Sequence, residues 1–164
     1  MKETDLLISQ NDGEYAVKVC GRANFEYAVP LREFANSLGT GFKAIRFEMS
    51  ECLAMDSTFM GVLSMIGLKA RRGGAVIEIA NASDFIRKLL RDLGIVKLFD
   101  FVDEFKNMPE EWVNAGVKSD LLSTAETVSE AHEKLVEVDH ANEAKFSQVI
   151  EFAKKDVERL KGEK

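Results

Sequence analysis

The first hundred residues switch repeatedly between an alternating apolar pattern and one repeating every three to four positions. LLISQ and YAVKVC flank Asp12-Gly13, and the second segment sets Tyr15, Val17 and Val19 against Ala16 and Lys18. Alternation on either side of an Asp-Gly pair predicts a β-hairpin over residues 5–20. After Asn24 the spacing changes. Leu31, Phe34, Ala35 and Leu38 predict a helix that stops at Gly39, with Pro30 near its first turn, where a missing N–H is tolerated. KAIRFEM alternates again, as a strand. DSTFMGVLSMIGLKARRGG reads as a helix with Met60, Leu63, Ser64, Gly67 and Leu68 on one face, and Arg71 and Arg72 complement its C-terminal dipole. AVIEIA is a strand. SDFIRKLLRDLG is a helix opened by Ser83 or Asp84 and closed by Gly94, and VKLFDFV is a short last strand. The predicted order, β-β-α-β-α-β-α-β, implies an α/β fold with a mixed sheet and parallel crossovers, packed by helices on one side.

Beyond residue 104 the alternation ends. Leu121, Ala125, Val128, His132, Leu135 and Val138 recur at helical spacing, as do Phe146, Val149, Ile150, Ala153, Val157 and Leu160. EVDHANE between them is polar. Two amphipathic helices follow, as a hairpin or as one long bent helix, each with an apolar face to bury against the domain, the other helix or another subunit. The expected organisation is a domain at 1–104 and a helical C-terminal extension at 105–164. Trp112 is expected to pack the extension onto the sheet.

Charge and composition narrow the function. A net charge of −6 is the wrong sign for a phosphate-binding surface, so no nucleic-acid partner is expected. The N-terminus lacks the apolar core of a secretory signal, and no apolar run could span a bilayer, so cytoplasmic placement without membrane partners is expected. Cys20 and Cys52 lack metal-site spacing and fit buried thiols in a reducing compartment. His132 and His140 have no cysteine pair near them, so neither a metal nor another cofactor is expected. GTGFK (39–43) lacks the length of a phosphate loop and reads as a helix stop. Asp92, Asp100 and Asp103 form no catalytic pair. Without a G-x-S-x-G elbow, and with no histidine base for Ser57 expected in the same domain, an enzyme is not expected.

The remaining candidate is the junction LAMDSTFMGVL, residues 53–63. A serine at a helix N-terminus faces unpaired N–H groups and the positive end of the dipole. In one reading Asp56 or Ser57 serves there simply as the N-cap. Alternatively the Ser57 hydroxyl accepts a phosphate, adding roughly −1.5 to −2 charge beside Asp56.

Residues 56–63, Asp-Ser-Thr-Phe-Met-Gly-Val-Leu, together with a Gly-Gly turn and RKLLRDLGIVKLFDF, resemble the STAS domain, the fold of bacterial anti-sigma factor antagonists, over about Leu6 to Val102. The hallmark there is Asp-Ser-Ser/Thr-Gly-Leu-Gly-Val-Leu, followed later by Leu-X-X-X-Gly-Leu-X-X-Leu-Phe. The resemblance implies a partner-switching regulator of transcription rather than an enzyme. It binds a serine protein kinase that doubles as an anti-sigma factor, is released on phosphorylation at Ser57 (Thr58 the second choice), and is reset by a PP2C-type phosphatase. It also implies partner contact near Asn24, Asp56, Thr58, Phe59 and Met60. Phe59 and Met60 replace the usual Gly-Leu, Asn24 stands where an acidic residue is frequent, and Glu48 where an aspartate is. The other expectation is a STAS scaffold that does not switch, or a homodimer formed through the C-terminal helices.

Overall fold

Asp12 and Gly13 both adopt positive φ, 53° and 83°. This is the turn that lets two right-twisted strands pair tightly, here β1 (Thr4–Asn11) and β2 (Glu14–Ala23), antiparallel from Thr4↔Gly21 to Asn11↔Glu14. A computed structural model describes residues 4–39, 41–116 and 120–162 of the chain. The chain continues through α1 (Phe25–Ser37), β3 (Ala44–Glu48), β4 (Cys52–Met55), α2 (Ser57–Arg72), β5 (Val76–Ala80), α3 (Asp84–Asp92), a 3₁₀ turn at Val96–Leu98, β6 (Asp100–Val102), β7 (Val113–Asn114), α4 (Leu121–Val138) and α5 (Asn142–Gly162).

The sheet runs β6-β5-β3-β2-β1-β7. β2, β3, β5 and β6 are mutually parallel, and β1 is antiparallel to β2 and β7, so the sheet is mixed as expected. Two strands were not anticipated. β4 pairs parallel with the far end of β2, beyond an irregularity at Gly21/Arg22. At four residues, CLAM is too short for alternation to reveal. β7 adds two residues to the outer edge of β1, and Trp112 stands half-buried just before it.

One sheet face carries Val17, Ile45, Phe47 and Ile79, all with no exposed surface. The opposite face is polar, with Arg46 bonded to Glu14 (2.8 Å) and Glu78 (3.0 Å). α1 lays Ala28, Leu31 and Ala35 on the core. Pro30 sits deeper than expected, at the sixth residue of the helix, where its ring removes an internal hydrogen bond.

α2 departs most from a surface helix. Ten of its sixteen residues are buried, from Thr58 to Ala70. A helix buried most of the way round must be covered on two sides. The sheet is one cover, and α4 is the other. Ala131 and Leu135 of α4 join the same core cluster as Phe47 and Phe59.

Candidate functional site

Two strand-to-helix junctions lie side by side at one end of the sheet, because Ala23 pairs with Met55 and the Asp56 N–H donates to the Ala23 carbonyl (3.0 Å). Each junction has a side-chain cap. Asn24 Oδ1 accepts from the Glu26 amide (2.9 Å) and starts α1. Asp56 Oδ1 accepts from the Phe59 amide (2.8 Å) and starts α2. An N-cap of either type contributes about 1 kcal/mol. Asp56 therefore performs the capping, and Ser57 becomes the first helical residue with its hydroxyl uncommitted to the backbone.

That hydroxyl meets His132. Ser57 Oγ lies 2.8 Å from His132 Nε2, across 75 positions of sequence. The ring's other nitrogen, Nδ1, lies 2.7 Å from the Val128 carbonyl. A carbonyl can only accept, so Nδ1 carries the proton. Burial of the ring lowers the His132 pKa, against the smaller opposing influences of its bond to the Val128 carbonyl and of the Asp56 charge. Nε2 is then bare, and the Ser57 O–H donates to it. The Phe146 ring of α5 packs edge-on against the imidazole, 4.8 Å between centroids. Asp56 is half-buried too. Desolvation pushes its carboxyl above the usual range, while the amides of Phe59, Phe25 and Thr58 and the charge of His132 act against that shift.

Residues 1–104 contain no histidine, and the partner that Ser57 finds, His132, comes from the C-terminal extension. His132 had one visible signal, a polar side chain on the apolar face of an amphipathic helix, which obliges it to find a partner inside. The pair is not assembled as a hydrolase triad. The Nδ1–H is held by a backbone carbonyl where a triad places a carboxylate.

The other expected contact residues separate. Asn24, Asp56 and Ser57 are half-buried around the junction. Thr58, Phe59 and Met60 are buried, and Phe59 has no exposed surface at all. Phe59 and Met60, which replace the usual Gly-Leu, add no bulk to the surface beside Ser57: residues next to Ser57 in sequence rotate about 100° per step round a helix, and here they turn into the core. Glu48 is an interior carboxylate accepting from the Ser50 amide (2.7 Å) and Asn81 Nδ2 (2.9 Å). It braces the β3–β4 turn. Cys20 and Cys52 are free and buried, and burial pushes the Cys52 thiol up to about 12. Among the described residues no cluster of three or more His, Cys, Asp or Glu could hold a metal, and no helix is long and apolar enough to cross a membrane.

α4 is fastened over this junction by three consecutive residues. Arg32 of α1 grips Glu130 with two bonds, Nε–Oε2 at 3.0 Å and Nη2–Oε1 at 2.7 Å. Ala131 lies so close to Gly61 that a Cβ there would fall 2.6 Å from the Ala131 methyl and overlap its carbonyl. His132 takes the Ser57 hydroxyl. At the hairpin's turn, Asn142 Nδ2 donates to the carbonyls of Leu93 and Leu135, each at 2.8 Å. Asp139 lies against Gly94, where a Cβ would clash.

The histidine makes stability depend on pH. Its folded pKa lies below the unfolded value of about 6.5, so the unfolded chain takes up the proton first. The contribution of neutral His132 is fully present above about pH 6.5 and is lost as pH falls through that value toward the folded pKa. Asp56, shifted upward, acts with the opposite sign in a lower window, favouring the folded state as pH falls toward about 3.8. The denaturant midpoint is expected to be higher at pH 8 than at pH 6, and His132→Gln is expected to remove most of that difference. An unchanged difference in the variant would assign the effect elsewhere.

No protein-family model matches the chain. No curated protein matches it either. Among solved structures it is similar to the anti-sigma factor antagonist SpoIIAA in its unphosphorylated form, with a TM-score of 0.50 over 62% of this chain and 90% of that one, at 13% sequence identity. That level of identity speaks to the fold. With its mixed sheet, its helices and its Asp-Ser-Thr helix start, the chain has a STAS-like fold, shared with a regulatory protein.

Proposed function

We propose that this protein is a partner-switching regulator of the anti-sigma factor antagonist kind. In this reading it binds a serine protein kinase that is also an anti-sigma factor while Ser57 is unmodified, is released once Ser57 is phosphorylated, and is reset by a PP2C-type phosphatase. Transcription is then the process regulated, in the bacterial cytoplasm.

The observation that carries the reading is the position of the Ser57 hydroxyl. It is the first residue of α2 in a STAS-like fold, and Asp56 has already capped the helix. A phosphate there lies at the positive end of the helix dipole yet beside the Asp56 carboxylate. Both states of such a serine can exist, and they differ strongly in local charge. Thr58 is the weaker acceptor because its side chain is buried.

The test is phosphate transfer. Purified chain incubated with ATP and lysate of the source cells is expected to gain a single phosphate, mapped to Ser57 by mass spectrometry and absent in Ser57→Ala. A phosphate elsewhere, or none under conditions that stimulate the source cells, overturns the reading.

A second reading, an association module, has its own observation. Leu121 and Phe152 are 73% and 64% exposed and line an apolar groove of about 400 Å³ between α4 and α5 with Val128 and Val149. Sedimentation across a concentration series decides it: a monomer throughout discards it.

A further inference from the structure

α4 occupies a groove between α1 and α2, and much of its buried surface is small or polar. Its buried residues are Ala125, Thr127, Ser129, Ala131, His132 and Leu135; Ala125 and Ser129 border α5, and of the six only Leu135 is large and apolar, joined on the core cluster by half-buried Val138. Burying a leucine contributes roughly 1.5–3 kcal/mol, whereas small and polar groups contribute little beyond their hydrogen bonds. An interface built this way holds through specific matches. One wall offers the Arg32 guanidinium, the floor offers the bare backbone at Gly61, and one end offers the Ser57 hydroxyl. Glu130, Ala131 and His132 meet these three in order. The hairpin follows β7 in the chain, and α4 is not itself part of any strand pairing.

We propose that the α1–α2 groove is a helix-docking surface whose resident occupant is α4. The external partner it fits presents an amphipathic helix of the same pattern: an acidic residue for Arg32, next to it a small residue for Gly61, and then a hydrogen-bonding side chain for Ser57. The proposal deepens the partner-switching reading, because a partner acting on Ser57 meets α4 first. Resident and partner helices exclude one another, since only one backbone can approach Gly61. Arg32 sets the charge requirement, with a side chain only 14% exposed and a bidentate carboxylate contact, the geometry that gives guanidinium pairs their selectivity. Arg72 and Glu137 also meet, at 3.1 Å, but both are open to solvent and add little.

The test uses the full chain and a fluorescein-labelled peptide of residues 120–139, without kinase or ATP. Glu130→Arg and, separately, Ala131→Leu weaken the resident helix while leaving the groove residues untouched. Hydrogen exchange first verifies that β3 amides keep their protection while those of residues 58–62 lose it. Peptide anisotropy is then expected to rise on either variant chain at a tenfold or more lower chain concentration than on wild type. A peptide carrying Glu130→Arg is expected to bind none of the chains. If residues 58–62 open and the peptide still does not bind, the groove is not a helix site and the proposal fails. If both variants leave residues 58–62 fully protected, α4 is a fixed part of the fold and the proposal fails as well. Either failure leaves phosphate transfer to Ser57 as a separate question, because neither readout involves a kinase.

Discussion

Gly61→Ala is expected to destabilise the full chain by about 1–3 kcal/mol, the cost typical of forcing extra atoms into a packed site. The sign is informative because two effects oppose each other. Alanine is the better helix former, and in an exposed helix interior the exchange would stabilise by about 1 kcal/mol. At Gly61 the new methyl meets the backbone and methyl of Ala131, and helix backbone cannot yield as a flexible side chain would. The clash must be relieved by moving α4 outward, which also stretches the Ser57–His132 and Arg32–Glu130 contacts. Urea unfolding of wild type and variant measures the balance. A gain in stability would mean that α4 does not rest on α2 in solution.

The sheet and its first three helices were legible because their apolar positions recur with a single period each. The hairpin declared itself through Asp12-Gly13, and both residues do adopt positive φ. β4 was not legible, since four residues carry no period. The second cover on α2 was half-legible. Met60 and Leu63 announced an inward face, but Phe59, Val62 and Ile66 are buried equally, and a helix apolar on several sides says only that something covers it. What covers it could not be read, because the match between α2 and α4 is made of small residues. Gly61 and Ala131 have no side-chain chemistry for a pattern to detect. The site was legible in its local part, a capped helix start at Asp56-Ser57, though which of the two residues caps is decided only by Asp56 Oδ1 accepting from the Phe59 amide. Its long-range part, His132, was visible only as a polar residue on an apolar stripe, and no rule of spacing links positions 75 residues apart.

Ser57→Asp is expected to reverse the sign of the pH dependence and to cost about 1–3 kcal/mol at pH 8, the range for leaving buried polar partners poorly matched. In wild type the serine O–H donates to a bare Nε2. A carboxylate in its place has no proton to give, so at pH 8 two acceptors face each other and the new charge lies beside the Asp56 carboxylate. Placement at the start of α2 offsets part of this, by about 0.3–1 kcal/mol. Protonating His132 resolves the conflict, because Nε2–H can then donate to the carboxylate as a charge-assisted bond. The folded-state pKa of His132, lowered in wild type by burial, is therefore expected to rise above the unfolded value of about 6.5. The added stability is then fully present below about pH 6.5 and lost as pH rises through the new folded pKa. Wild type should be the more stable at pH 8 than at pH 6, and the variant the reverse. Histidine titration by NMR alongside denaturation at both pH values checks the assignment. A variant with the wild-type slope would show that the introduced carboxylate has turned away from His132, and that a phosphate at Ser57 would not be read by this histidine.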